Sequence, residues 1–79
     1  MILRLYTRVD CHLCDEMKAV VAPLALQFGA TVEQIDVDSD PALAAAFGAE
    51  VPVLFIDDRK AFKYRVTPHE LRARLQRAR

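Results

Sequence analysis

Six residues near the middle of the chain, Val51-Pro52-Val53-Leu54-Phe55-Ile56, constrain the fold most. The run is short, apolar, and rich in β-branched and aromatic side chains, so it predicts a strand over residues 51–56. A strand that is apolar at successive positions, and not only at alternate ones, has both faces covered and lies centrally in a sheet. The rest of the chain must then supply neighbouring strands for its edges and helices for its faces. Proline at the head of such a strand lacks a ladder donor and needs a reason. A simple strand-start proline is one. The other is a cis peptide after Val51, which leaves the backbone groups of Val51 free to pair with an extended substrate.

The flanking segments meet this demand. Residues 1–6 read as a buried strand, followed by a loop over 7–10. Over 11–28 the apolar residues Leu13, Met17, Val20, Val21, Leu24 and Phe28 keep helical spacing. Pro23 lies inside that run and predicts a kink or a looser final turn, and Gly29 predicts its end. Residues 31–37 alternate as a second strand. Asp40 caps a helix with Pro41 at its first position, residues 42–47 favour helix, and Gly48 ends it. A tight turn over 57–59 leads to a fourth strand over 60–65. Thr67-Pro68-His69-Glu70 is a capping box. The last helix turns Leu71, Leu75 and Ala78 inward and leaves Arg72, Arg74, Arg77 and Arg79 mostly off that stripe. The order is β-α-β-α-β-β-α in a single domain over residues 1–79, with a parallel first pair and an antiparallel last pair.

Composition narrows the class. With 53% hydrophobic and 28% charged residues the chain is globular. No apolar run approaches the roughly 20 residues of a membrane span. The first six residues carry an arginine and no cleavage site, so they read as a strand and point to a reducing cytoplasm. The net charge is zero but uneven: residues 1–58 hold ten Asp/Glu and three Lys/Arg, and residues 59–79 hold one Asp/Glu and eight Lys/Arg. The basic end is a solvated helix face or a patch for an anionic partner. No motif for nucleic-acid binding is present. A monomer is expected.

The two cysteines, Cys11 and Cys14, decide the chemistry. A structural zinc site takes four ligands, and His12 and His69 do not form the missing pair. A zinc site shared by two chains and a pair of inert buried thiols stand as alternatives to redox chemistry. Position favours redox. Cys11 follows a strand and opens a helix, where free amides and the helix dipole stabilise a thiolate. Cys14, one turn deeper, is placed to resolve a mixed disulfide on Cys11. Such a pair beside a β-α-β pattern is a recognised redox signature. Arg8 adds to thiolate stabilisation, Asp10, Asp15 and Glu16 oppose it, and His12 helps only when protonated.

With these residues in place, the chain resembles the glutaredoxin branch of the thioredoxin-like superfamily, from LYTRVDCHLC through VPVLFID to the last helix. Tyr6 ends the first strand and Arg8 sits three before Cys11, as in that family. The resemblance implies a four-stranded mixed sheet flanked by three helices. It implies a thiol–disulfide oxidoreductase that reduces disulfides or glutathione mixed disulfides through Cys11-His12-Leu13-Cys14. Cys11 is then the nucleophile, Cys14 the resolving thiol, and Val51-Pro52 the cis-proline dipeptide that holds a substrate backbone. No metal or bound cofactor is implied. Glutathione is the reductant or co-substrate, and glutathione or a disulfide-bearing protein is the partner.

Arg8, His12, Val51, Pro52, Arg65 and Thr67 form the implied substrate-contacting set. Two departures bear on it. His12-Leu13 replaces the usual Pro-Tyr, and Lys63-Tyr64-Arg65-Val66-Thr67-Pro68 replaces a Gly-Gly turn. Arg8, Arg65 and the backbone at Thr67 are left to grip glutathione. The alternative is a non-catalytic module of the same fold that binds a thiol or a protein partner.

Overall fold

The computed structural model describes residues 1–78, so the expectation for Arg79 lies outside the described residues. In chain order the elements are β1 (Ile2–Thr7), α1 (His12–Phe28), β2 (Thr31–Asp36), α2 (Pro41–Phe47), β3 (Val53–Ile56), β4 (Arg59–Lys63) and α3 (Pro68–Ala78), with a 3-10 turn over Val37–Ser39. The strands form one sheet in the order β2-β1-β3-β4. β1 runs parallel to β2 and antiparallel to β3, which pairs antiparallel with β4. The central place of the apolar strand and the β-α-β-α-β-β-α order agree with the sequence reading.

One face of the sheet carries the main core. Leu3 and Leu5 of β1 and Leu54 and Ile56 of β3 pack with Met17, Val21 and Leu24 of α1 and with Leu71 and Leu75 of α3. Each fully buried leucine contributes roughly 1.5–3 kcal/mol of transfer free energy. On the other face the Tyr6, Phe47 and Phe55 rings form a cluster with centroids 4.6 to 5.7 Å apart. α2 covers that face and buries none of its residues fully.

Several boundaries shift for local reasons. β2 ends at Asp36 because the Asp36 carboxylate accepts the Asp38 N–H (2.9 Å) and its carbonyl accepts the Ser39 hydroxyl (2.6 Å), which turns Val37 into the core. β4 stops at Lys63, since Tyr64 adopts φ +67. The buried stripe of α1 is Cys14, Met17, Val21, Leu24 and Ala25, with Leu13 and Val20 on its flanks. The helix continues through Pro23 to Phe28. Both Pro23 and Ala19, whose carbonyl loses a partner, are exposed, so water can serve that carbonyl.

Gly29 closes α1 at φ +65, with its N–H on Leu26 and that of Ala30 on Ala25, a Schellman arrangement. Ala78 is exposed, so the inward stripe of α3 ends at Leu75. Among the described residues no helix is long and apolar enough to cross a membrane.

Candidate active site around Cys11 and Cys14

β1 delivers the chain to the end of the sheet, where Asp10 at φ +58 turns it into α1. Aspartate tolerates that left-handed conformation better than most residues. Cys11 is the N-cap of α1, and its sulfur accepts the N–H of Cys14 at 3.1 Å. A sulfur therefore occupies the place where Ser or Asp usually satisfies a free helix amide. Cys11 and Cys14 are joined as a disulfide, with Cα atoms 5.2 Å apart. Their surroundings differ: Cys11 is partly exposed, and Cys14 is 0% exposed. An incoming sulfur meets Cys11 first.

Val51 and Pro52 come to the same end, because β3 runs antiparallel to β1 and begins opposite Tyr6. The Val51–Pro52 peptide is cis. Among the described residues, the backbone N–H and C=O of Val51 have no hydrogen-bond partner. The Pro52 carbonyl accepts the Tyr64 N–H (2.9 Å), and the Tyr64 hydroxyl donates to the Ala49 carbonyl (3.3 Å). Tyr64 thus ties the β4–α3 loop to the proline segment. That loop and α1 enclose a groove of about 280 Å³ lined by Glu16, Met17, Val20, Tyr64, Arg65 and Thr67, among others.

The implied contact residues fare differently. Arg65 and Thr67 line this groove. Thr67 is also occupied structurally: its N–H donates to the Glu70 carboxylate (3.0 Å) and its hydroxyl accepts the Glu70 N–H (3.1 Å). These bonds, backbone first, hold the Glu70 carboxyl below its usual range. The His12 side chain is 88% exposed and only 3.9 Å from Glu16, a weak pair at most.

Arg8 is placed otherwise than its proposed thiolate contact requires. It donates through Nε and Nη2 to the two oxygens of Asp38 (2.8 and 3.0 Å) and through Nη1 to the Gly48 carbonyl (3.0 Å). The hydrogen bonds from Arg8 hold the Asp38 carboxyl below its ordinary range and raise the guanidinium. Arg8 thereby ties the dithiol loop to the turn after β2 and to the end of α2. Sequence reasoning missed Asp38, which looks like one more charge in an acidic stretch and lies 30 positions away.

It also missed why residue 48 is glycine. Gly48 sits at φ −55, so it supplies no left-handed cap. A Cβ there would lie 2.5 Å from the Ala44 carbonyl oxygen and 2.9 Å from Nη2 of Arg8. The glycine is needed for close approach.

Residues 2–76 match the glutaredoxin-like domain (DUF836). An uncharacterised protein of Mycobacterium tuberculosis is 33% identical over 81 residues, covering 96% of this chain and 84% of its own length. The crystal structure of a structural-genomics target protein from X. campestris superposes with a TM-score of 0.79 at 33% identity, covering 98% of this chain and 99% of that one. Thioredoxin 1 of Thermosipho africanus superposes at 0.74 with 20% identity, covering 99% and 93%, which establishes a shared fold.

Proposed function

The chain belongs to the glutaredoxin-like domain family, and from that premise we propose that it is a thiol–disulfide oxidoreductase. The observation that carries the reading is the unequal burial of two bonded sulfurs at a helix N-terminus: Cys11 partly open, Cys14 closed off. In the reduced protein the Cys11 thiolate attacks a sulfur of the partner disulfide. One S–S bond breaks, the mixed disulfide forms, and the first partner thiolate leaves and takes a proton. Cys14, deprotonated, then attacks the Cys11 sulfur. The second partner thiol is released and the Cys11–Cys14 disulfide closes. Two electrons pass to the partner. Two molecules of glutathione, oxidised to their disulfide, would restore the dithiol.

The free backbone of Val51 supports a role in holding an extended segment beside Cys11, as a strand end does. Arg65 and Thr67 are the remaining candidates for a glutathione carboxylate or its backbone. Arg8 we assign to positioning the loop, since Asp38 and Gly48 take its donors. Turnover of a glutathione mixed disulfide, compared with reduction of the insulin disulfides, tests the activity and ranks the two substrate classes. Activity on neither, with cysteines that resist oxidation in glutathione buffers, would instead mark a binding module.

A further inference from the structure

We propose that the groove between the β3–β4 turn and the C-terminal turns of α3 binds an acidic segment of a partner protein. It lies at the end of the sheet opposite the dithiol, encloses about 570 Å³, and is lined by Ile56, Asp57, Arg59, Arg74, Arg77 and Ala78. This is where part of the basic C-terminal charge converges, and nothing in the dithiol chemistry uses it.

Most lysines and arginines elsewhere meet carboxylates; the exceptions among the described residues are Arg65, which meets none, and Arg72, which donates to the Gln27 side-chain oxygen at 3.0 Å. Arg4 meets Glu33 and Asp58 at 3.1 and 3.0 Å, Arg8 meets Asp38, and Lys18 meets Asp15 at 3.7 Å. Lys60 and Lys63 share Glu50 at 2.6 and 3.2 Å. Among the described residues, no carboxylate lies within ion-pair distance of Arg59, Arg74 or Arg77. The one carboxylate in the groove, Asp57, already accepts the Ile2 N–H at 2.8 Å.

The α3 dipole favours a cation in its last turn and so accounts for Arg77. It does not account for Arg59, which faces the same groove from β4. Arg74 is half-buried with its guanidinium 5.6 Å from the centre of the Phe62 ring, which restricts it before any ligand arrives. Planar guanidiniums donate pairs of parallel hydrogen bonds to carboxylates.

A protein segment suits the groove better than a nucleic acid. No lining side chain is aromatic, so bases have no stacking platform there. The six residues of β1 separate the groove from the dithiol loop by about 20 Å, so a partner held there leaves Cys11 uncovered.

The test uses the whole protein and a fluorescein-labelled peptide of ten glutamates, with binding followed by fluorescence anisotropy. Binding should appear at low ionic strength and weaken severalfold at physiological salt. The double variant Arg59→Ser/Arg77→Ser, shown to be folded by its thermal melt, should bind roughly tenfold more weakly. Absence of binding at low salt, or equal binding by the double variant, overturns the proposal. So does tighter binding of a single-stranded oligonucleotide of equal charge that the same variant abolishes, which would assign the groove to a nucleic acid.

Discussion

Toward the dithiol end of the sheet Arg8, Lys18 and Lys63 each meet a carboxylate, Lys60 reaches Glu50 from the start of β4, and Arg65 alone among the cations there meets none of the described ones. At the hairpin end Arg59, Arg74 and Arg77 face one groove without a carboxylate partner among the described residues. The same residue types therefore do different work. Near Cys11, charge fastens loops: Arg8 joins the dithiol loop to Asp38 and Gly48, and Glu50 joins the segment before Pro52 to β4. In the proposed chemistry, reactivity is left to the sulfur at the helix N-terminus. At the far end Arg4 still joins β1 to Glu33 and to Asp58 in the hairpin turn, whereas the three groove arginines meet no described carboxylate. The two ends should accordingly respond to different substitutions.

The largest contrast is expected at the sulfurs. Cys11→Ser should abolish disulfide exchange, and Cys14→Ser should still attack but accumulate a mixed disulfide with glutathione, seen by mass spectrometry after incubation with oxidised glutathione. Arg59→Ser/Arg77→Ser should exchange at the unaltered rate. If Cys14→Ser is as inert as Cys11→Ser, the assignment of roles from burial is wrong.

Next comes the glycine beneath Arg8. Gly48→Ala places a methyl against the Ala44 carbonyl and the Arg8 guanidinium, and should destabilise the protein by about 1–3 kcal/mol through overpacking. Arg59→Ser should stay within about 0.5 kcal/mol, as surface substitutions do. Urea midpoints for the two variants separate a fastened end from a free one, and equal midpoints would erase the distinction.

Acid should also act on one end more than the other. Asp38 and Glu50 have folded pKa values lowered by hydrogen bonds from Arg8 and from Lys60 and Lys63, respectively. Between the lowered folded value and the unfolded value, the unfolded chain binds more protons. The stabilisation is thus present at neutral pH and is lost as pH falls through the folded pKa values. Asp38→Asn should flatten part of the acid limb in a plot of urea midpoint against pH, whereas Arg77→Ser should leave that limb unchanged.

The smallest effect concerns glutathione. An inert glutathione analogue should bind weakly and lose affinity with salt. Arg65→Ala should weaken it through a lost carboxylate contact of about 0.2–1 kcal/mol, as for an exposed pair. Arg8→Ala should act only through the loop it fastens. Calorimetric titration at two salt concentrations measures both, and tight, salt-independent binding would point to backbone contacts at Val51 and Thr67.

Most of this architecture was legible in the chain, because periodicity and punctuation are local. The unbroken apolar run marked β3 as central. Asp40-Pro41 and the Thr67–Glu70 box marked helix starts, and the structure has them there. What escaped depends on partners distant in sequence or on backbone that residue type does not reveal. Arg8 looked like a cation for the thiolate because its partner Asp38 arrives only when β1 and β2 pair. Tyr64 takes a left-handed conformation usual for glycine, so nothing in its identity ended β4 at Lys63. Gly48 was read only as the end of a helix, when crowding, and not a left-handed φ, requires a glycine there.

The central claim is that Cys11 and Cys14 form a working redox couple. Its most direct test is to equilibrate the wild-type protein across a series of reduced and oxidised glutathione ratios, quench with an alkylating agent, and weigh the products. A working couple should show a reversible two-electron transition between the dithiol and the Cys11–Cys14 disulfide, approached identically from both sides, with any mixed disulfide carried on Cys11. Thiols that stay reduced at every ratio, or a transition that appears equally on either cysteine alone, would contradict it.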